Sequence, residues 1–283
     1  MNKGNDTMEK EAKIPKTKRI ILSICLTLAT IIIIFLICEV VTMKKEYYIG
    51  EKNLKIPIFV YHEIVENSSQ VEDPSMQTPV DVFEKQIKTL KKIGYTPISY
   101  EDLVQYKEGK KKLPKRSYLI TFDDGYIGIY NYAFQIAKKY NIPMTSFAID
   151  DCVGAPGYYN WEQAKEMHDS GLMAIYSHGL THAQYNLVEP KDFTDQINTA
   201  YKNLNTKLQD ENMLKVFTYP YGLYSEEELQ ELEKYNYVQN LTDGKINRSN
   251  KLDLSRLHRI YPLNDSAWKI VLKIEYKSLK YRN

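Results

Sequence analysis

Between Ile20 and Cys38 the chain carries 19 residues of nearly unbroken apolar character, softened only by Ser23, Thr27 and Thr30. At about 1.5 Å per residue, a helix of that length nearly spans a hydrocarbon core about 30 Å thick, and Val40-Val41 can extend it. No polar face interrupts the run, which argues against a buried helix of a globular core. Lys3, Lys10, Lys13, Lys16, Lys18 and Arg19 precede it, a positive flank of the kind that stays in the cytoplasm. A cleaved signal peptide is the rival reading. Against it, the run is long, no small-x-small site follows, and Ile37 precedes Cys38 where lipoprotein processing wants a small residue. The pattern predicts a basic cytoplasmic N-terminus over 1–19, a transmembrane anchor over 20–43, a linker over 44–55 and a folded domain over 56–283 outside the cell.

Beyond the linker the pattern changes to short apolar runs alternating with amphipathic stretches. Ile56–Tyr61 reads as a strand. Asn67–Thr78 is polar without periodicity and reads as a loop near the site. Phe83, Ile87, Leu90 and Ile93 recur at helical spacing and end at Gly94. Ser99 with Asp102 three residues on predicts a capped short helix. Tyr118–Phe122 reads as a strand, Ile127–Tyr140 as a helix and Pro143–Ile149 as a strand. Asn160 caps Trp161–Ser170, with Gly171 closing it. Leu172–Tyr176 is the next strand, Lys191–Leu208 a long helix and Val216–Tyr219 a strand, and Ser225, with Glu228, opens a helix to Tyr235. Strand–helix alternation of this kind predicts an α/β fold, a parallel barrel or a doubly wound sheet. No internal repeat is present.

Composition changes the picture little. A net charge of +2 and scattered lysines supply no basic stripe, so nucleic acid is not an expected partner. Cys25 and Cys38 fall in the apolar segment, which leaves Cys152 alone in the domain, so no internal disulfide can hold it and its core must. The 24 tyrosines suit a glycan surface, where rings stack on sugar faces, and suit a biased coding composition equally well.

Chemistry enters with Thr121-Phe122-Asp123-Asp124-Gly125 and Ser177-His178-Gly179-Leu180-Thr181-His182. Only five histidines occur in the chain, and two of them fall in the second segment. Adjacent carboxylates with two imidazoles can hold one divalent ion and keep a carboxylate free beside it, the ingredients of metal-assisted hydrolysis. Both segments, and Tyr219-Pro220-Tyr221, follow expected strands, at the carboxyl end where parallel α/β folds hold their sites.

These motifs resemble those of the polysaccharide deacetylases of the NodB-homology type, carbohydrate esterase family four. The resemblance spans about Ile56 to Pro262 and includes Phe217-Thr218-Tyr219-Pro220-Tyr221-Gly222. The early Pro57–Ile64 segment, with Tyr61-His62, is similar to the branch acting on poly-N-acetylglucosamine exopolysaccharide. The resemblance implies a distorted (β/α) barrel of about seven strand–helix units. It implies a metal-dependent N-deacetylase of an N-acetylglucosamine-containing glycan, with exopolysaccharide synthesis machinery as a candidate partner. Peptidoglycan is the alternative substrate, and a glycan-binding module without catalysis is the reading from another class. Asp124, His178 and His182 would hold one divalent ion, zinc or another first-row metal, with Asp123 as base. The Tyr221 backbone N–H would face the oxyanion, with Tyr61, Tyr219 and Pro220 supporting. His62 is the expected acid, with His258 the alternative, and Arg256 or Arg259 would contact the base. His168 reads as non-functional. Thr218 stands where the family pattern has an orienting arginine, and Gly179 where threonine is frequent.

Overall fold

A computed structural model describes residues 16–41, 47–48 and 53–281. The chain divides into two compact units, Met1–Lys44 and Lys45–Asn283. In the first, α1 is a helix over Lys16–Val41. Among the described residues no helix is long and apolar enough to cross a membrane. The transmembrane expectation over 20–43 runs onto residues outside those described, which include 1–15, 42–46 and 49–52.

The second unit is built on eight parallel strands: β1 (Ile58–Tyr61), β2 (Thr96–Pro97), β3 (Ser117–Phe122), β4 (Met144–Ala148), β5 (Met173–Ser177), β6 (Val216–Thr218), β7 (Val238–Leu241) and β8 (Leu257–His258). They pair in the order β8-β7-β6-β5-β4-β3-β1, with β2 pairing against β3. Just past β8, Ile260 closes the ring. Its carbonyl accepts from Val60 N–H and its own N–H donates to the Ile58 carbonyl, both at 2.9 Å. That pair of bonds makes the sheet a barrel and excludes an open doubly wound sheet. β1, β3 and β4 are buried at every position, as strands covered on both faces must be.

Helices α2 (Val80–Lys92), α3 (Tyr100–Lys107), α4 (Phe134–Tyr140), α5 (Trp161–Asp169), α6 (Pro190–Leu208), α7 (Glu226–Lys234) and α8 (Ala267–Lys280) alternate with the strands. The expected caps form: Ser99 with Asp102, Asn160 with Gln163 and Ser225 with Glu228 are reciprocal capping boxes. The core of this unit consists of its own side chains.

Three expectations are revised. The helix expected over Ile127–Tyr140 opens with a wide π-type turn, Ile129–Ala133, before α4. The stretch expected as loop over 67–78 contains a 3-10 turn, Ser68–Gln70. It also enters a short strand, Gln77–Pro79, parallel to Glu63–Val65. β7 is not among the expected strands, and its Val-Gln-Asn-Leu carries two amide side chains in place of an apolar run. Gln239 and Asn240 are nonetheless buried, satisfied by Tyr219 Oη and the Leu229 carbonyl, and by Tyr100 Oη and the Phe217 carbonyl.

Gly128 is where the fold admits no side chain. A Cβ there would lie 1.9 Å from the Ile64 carbonyl oxygen, and that neighbour is backbone. Gly128→Ala is expected to destabilise the protein by at least about 1–3 kcal/mol, the range for overpacking a rigid site. A thermal melt of the two proteins side by side checks this.

Candidate active site

Each site residue sits at the carboxyl end of a barrel strand, where all the parallel strands point their termini into one mouth. Asp123 and Asp124 follow β3, His178 follows β5, Tyr219–Tyr221 follow β6, Thr242 follows β7 and His62 follows β1. Arg259 comes just past β8. The backbone turns sharply after β3: Asp124 has φ 72°, and the Gly125 N–H donates to the Asp123 carbonyl at 2.9 Å. A positive φ with an i→i+2 bond is the strained γ-turn geometry, and it sends the two neighbouring carboxylates into different surroundings.

Asp123 is buried and gripped by Arg259. Nη1 donates to Oδ1 at 2.7 Å and Nη2 to Oδ2 at 2.8 Å, a two-pronged pair. Arg259 is itself 0 % exposed. Its Nη2 also donates to Thr242 Oγ1 at 2.8 Å, and its guanidinium lies 5.5 Å from the Phe147 ring centroid. Burial would raise the Asp123 pKa, but Arg259 and neighbouring imidazoles outweigh it and hold the carboxyl below its ordinary value. Asp123 is therefore ionised and cannot turn away from the mouth.

Asp124 faces the two imidazoles. Its Oδ1 lies 3.3 Å from His178 Nε2 and 3.4 Å from His182 Nε2. The three ligating atoms all fall within 4.8 Å of one another. A tetrahedral ion with bonds of about 2.0–2.1 Å sets its ligands about 3.3 Å apart, so these separations fit one ion. Asp124 Oδ1 is buried and has no hydrogen-bond donor, an orphaned charge of the kind a cation satisfies. His178 Nδ1 lies 2.9 Å from the Thr218 carbonyl, which fixes the tautomer that leaves Nε2 free to ligate. Burial opposes charge on His178, yet Asp124 and Asp123 outweigh it and raise its pKa.

The segment carrying both histidines is a loop, folded back by positive φ at Gly179 (92°) and His182 (57°). Gly179 suits both the positive φ and the crowding here. A Cβ would lie 2.5 Å from Tyr185 Oη, which accepts from the Leu180 N–H and fills the space a threonine would need. The Tyr221 ring packs 4.5 Å from His182, on a backbone held at φ 59°.

His62 stacks on Tyr261, rings 6.0 Å apart and 7° from parallel. Burial lowers its pKa, and the opposing charges of Asp123 and Asp124 only partly restore it. His258 does not join the site. Successive residues face opposite sides of a strand; with Arg259 aimed at Asp123, His258 points away and binds Asp243, 2.9 Å from Oδ2. Arg256 is no partner of Asp123 either: it forks onto Glu226 at 3.0 and 2.8 Å. Tyr61 turns to the core, donating to Gln86 Oε1 at 2.8 Å. Tyr219 is buried on Gln239, and Pro220 is buried beside it. His168 pairs with Asp210 at 3.2 Å.

Sequence reasoning missed Thr242 and Tyr261, and also Tyr126, whose phenol faces Asp124 and is driven up in pKa by burial and that carboxylate. Tyr261 was detectable in principle as the residue two beyond Arg259.

The family model for polysaccharide deacetylase matches residues 110–239. YxkH of Bacillus subtilis, whose name assigns it to the polysaccharide deacetylases, is 30% identical over 210 residues, covering 74% of this chain and 72% of that protein. The poly-β-1,6-N-acetyl-D-glucosamine N-deacetylase of Staphylococcus aureus is 34% identical over 180 residues, 59% of this chain and 61% of the relative. Among solved structures, the Streptococcus pyogenes deacetylase PplD in complex with acetate superposes with a TM-score of 0.71 at 27% identity, covering 79% of this chain and 99% of that one. IcaB from Ammonifex degensii has the same fold, with a TM-score of 0.67 at 24% identity, covering 80% and 98%. The chain belongs to the polysaccharide deacetylase family. It is a hydrolase of carbon–nitrogen bonds other than peptide bonds.

Removing Arg259 would leave Asp123 buried and unpaired, which typically costs about 3–5 kcal/mol. Arg259→Ala should lower stability by that order in a urea melt at neutral pH. The pair's contribution is present above the unfolded carboxyl value near 3.8 and lost as pH falls through the lower folded value. The gap between wild type and variant should therefore narrow below pH 3.8.

Proposed function

We propose that the chain removes acetyl groups from N-acetylglucosamine residues of poly-β-1,6-N-acetylglucosamine exopolysaccharide, with one divalent ion, zinc first among candidates, held by Asp124, His178 and His182. The carrying observation is an ionised carboxylate, Asp123, clamped by Arg259 beside an aspartate–histidine–histidine set whose shared oxygen, on the buried Asp124, has no donor. The Staphylococcus relatives named for that polymer support the substrate. Peptidoglycan is the second reading, since the same residues would serve it. The basic flank and apolar run of the first 38 residues support a place at the cell membrane with the catalytic unit outside.

Hydrolysis of an acetamide breaks the bond between the carbonyl carbon and the sugar nitrogen, giving acetate and a free amine. An ion held by Asp124, His178 and His182 would supply a Lewis acid and would lower the pKa of a bound water. Asp123 takes the proton from the attacking water. Arg259 keeps that carboxylate charged and aimed, and therefore acts as a positioning residue. The Tyr221 backbone N–H faces the oxygen on which negative charge develops. His62, backed by Tyr261, delivers a proton to the departing nitrogen.

Acetate release, measured on poly-β-1,6-N-acetylglucosamine and on peptidoglycan with metal-replete protein, tests the substrate. Turnover of peptidoglycan alone overturns the exopolysaccharide reading, and glycan binding without acetate from either polymer supports the binding-module reading. Asp123→Asn is expected to retain metal and lose turnover, whereas Asp124→Asn loses both; full activity in Asp123→Asn removes it as the base.

His62 acts as an acid only when protonated, and its lowered pKa places loss of that proton below 6.5 as pH rises. His62→Asn is expected to cut kcat by about 10²-fold or more. It should also erase the limb of the pH–rate profile that falls as His62 deprotonates.

A further inference from the structure

Helix α8 (Ala267–Lys280) is apolar twice over. Ala267, Ile270, Ile274 and Ser278 are buried and fix it to the domain. On its outer side Trp268, Leu272, Tyr276 and Leu279 are 49, 62, 60 and 67 % exposed. At 3.6 residues per turn these four fall within an arc of about 80°, one continuous row along the helix. Lysines 269, 273 and 280 fall within the next ~80° of arc, along one border of that row. Glu275 is the single acid on the helix and is engaged by Lys55.

We propose that this outer face of α8 docks on a membrane surface bearing anionic lipid headgroups. A row of tryptophan, tyrosine and leucine beside a row of lysines is the pattern of a helix lying in the interface plane. Its apolar side chains enter the headgroup boundary while the ammonium groups of Lys269 and Lys280 meet phosphate; Lys273 is held by Asp265 at 2.7 Å. Lysine is depleted at protein–protein interfaces, which favours lipid over a protein occupant here. The face also has a functional bearing. Lys273 donates to the Tyr261 carbonyl at 2.8 Å, and Tyr261 stacks on His62, so α8 is tied to the rim of the mouth. Docking there sets the mouth beside the bilayer, where a glycan leaving the membrane passes. The contact is a property of the catalytic unit and does not depend on α1 or on the identity of the polymer.

The chain has two tryptophans, so Trp161→Phe leaves Trp268 as the sole indole reporter in the full-length protein. Phosphatidylglycerol-containing vesicles should shift Trp268 emission to the blue and expose it to quenching by brominated acyl chains. Phosphatidylcholine vesicles should do so weakly. Leu272→Glu with Leu279→Glu should abolish the shift, and Lys269→Glu with Lys280→Glu should reduce it. Acetate release from a soluble oligosaccharide should be unchanged in both. Attachment through α1 alone would sediment the protein with vesicles and leave Trp268 unshifted, which overturns the proposal. A blue shift that grows with protein concentration without lipid also overturns it, since the occupant is then a second copy of the chain.

Discussion

A charged carboxylate inside a barrel mouth is stable only if a cation shares its burial, and here Arg259 does so for Asp123. Two parallel hydrogen bonds from a side chain with no solvent exposure hold the acid ionised and fixed in direction. Much of the surrounding structure serves that pair. Thr242 and Phe147 hold the guanidinium, and the Ile260 bonds to β1 bring the last strand close enough to deliver it. Barrel closure and the clamping of Asp123 are one structural event. An open sheet would leave Arg259 at an edge, far from β3.

The adjacent carboxylate has the opposite arrangement. Asp124 lies one residue away, yet the turn with φ 72° points it at two imidazoles and leaves one oxygen without a donor. Asp123 is satisfied by a protein cation, whereas Asp124 Oδ1 faces two imidazoles that could share one ion with it. Neighbouring groups of identical chemistry thus take different roles because their surroundings separate them. The Thr218 carbonyl on His178 extends the same logic to the ligand's tautomer. Thr218 stands where the family pattern has an orienting arginine, and the orienting cation arrives instead from Arg259, far along the chain.

Glycine 179 illustrates how a departure from a common motif is compensated. Its missing side chain is replaced by the ring of Tyr185, whose hydroxyl accepts from the loop's own backbone at Leu180. The loop keeps its shape through a tertiary contact where a local side chain would otherwise support it. The same region shows why spacing alone misleads. His178 and His182 are four apart, as on a helix, but converge through two left-handed residues in a loop.

Much was legible in the chain itself. Periodicity marked the strands that end in Asp123, His178 and Tyr219, and the capping boxes at Ser99, Asn160 and Ser225 appeared where side-chain spacing put them, because those signals are local. Residue chemistry identified two adjacent aspartates and two histidines as able to hold an ion, and the family resemblance assigned Asp124, His178 and His182 to it. What the tertiary structure decided was everything that rests on which face a side chain presents. The choice of Arg259 over Arg256, the turning away of His258, the burial of Tyr61 and the pairing of His62 with Tyr261 all follow from strand alternation and barrel closure. β7 escaped notice because its buried glutamine and asparagine are matched only by partners distant in sequence. Such partners leave no periodic trace along the chain, since they exist only once the ring has closed.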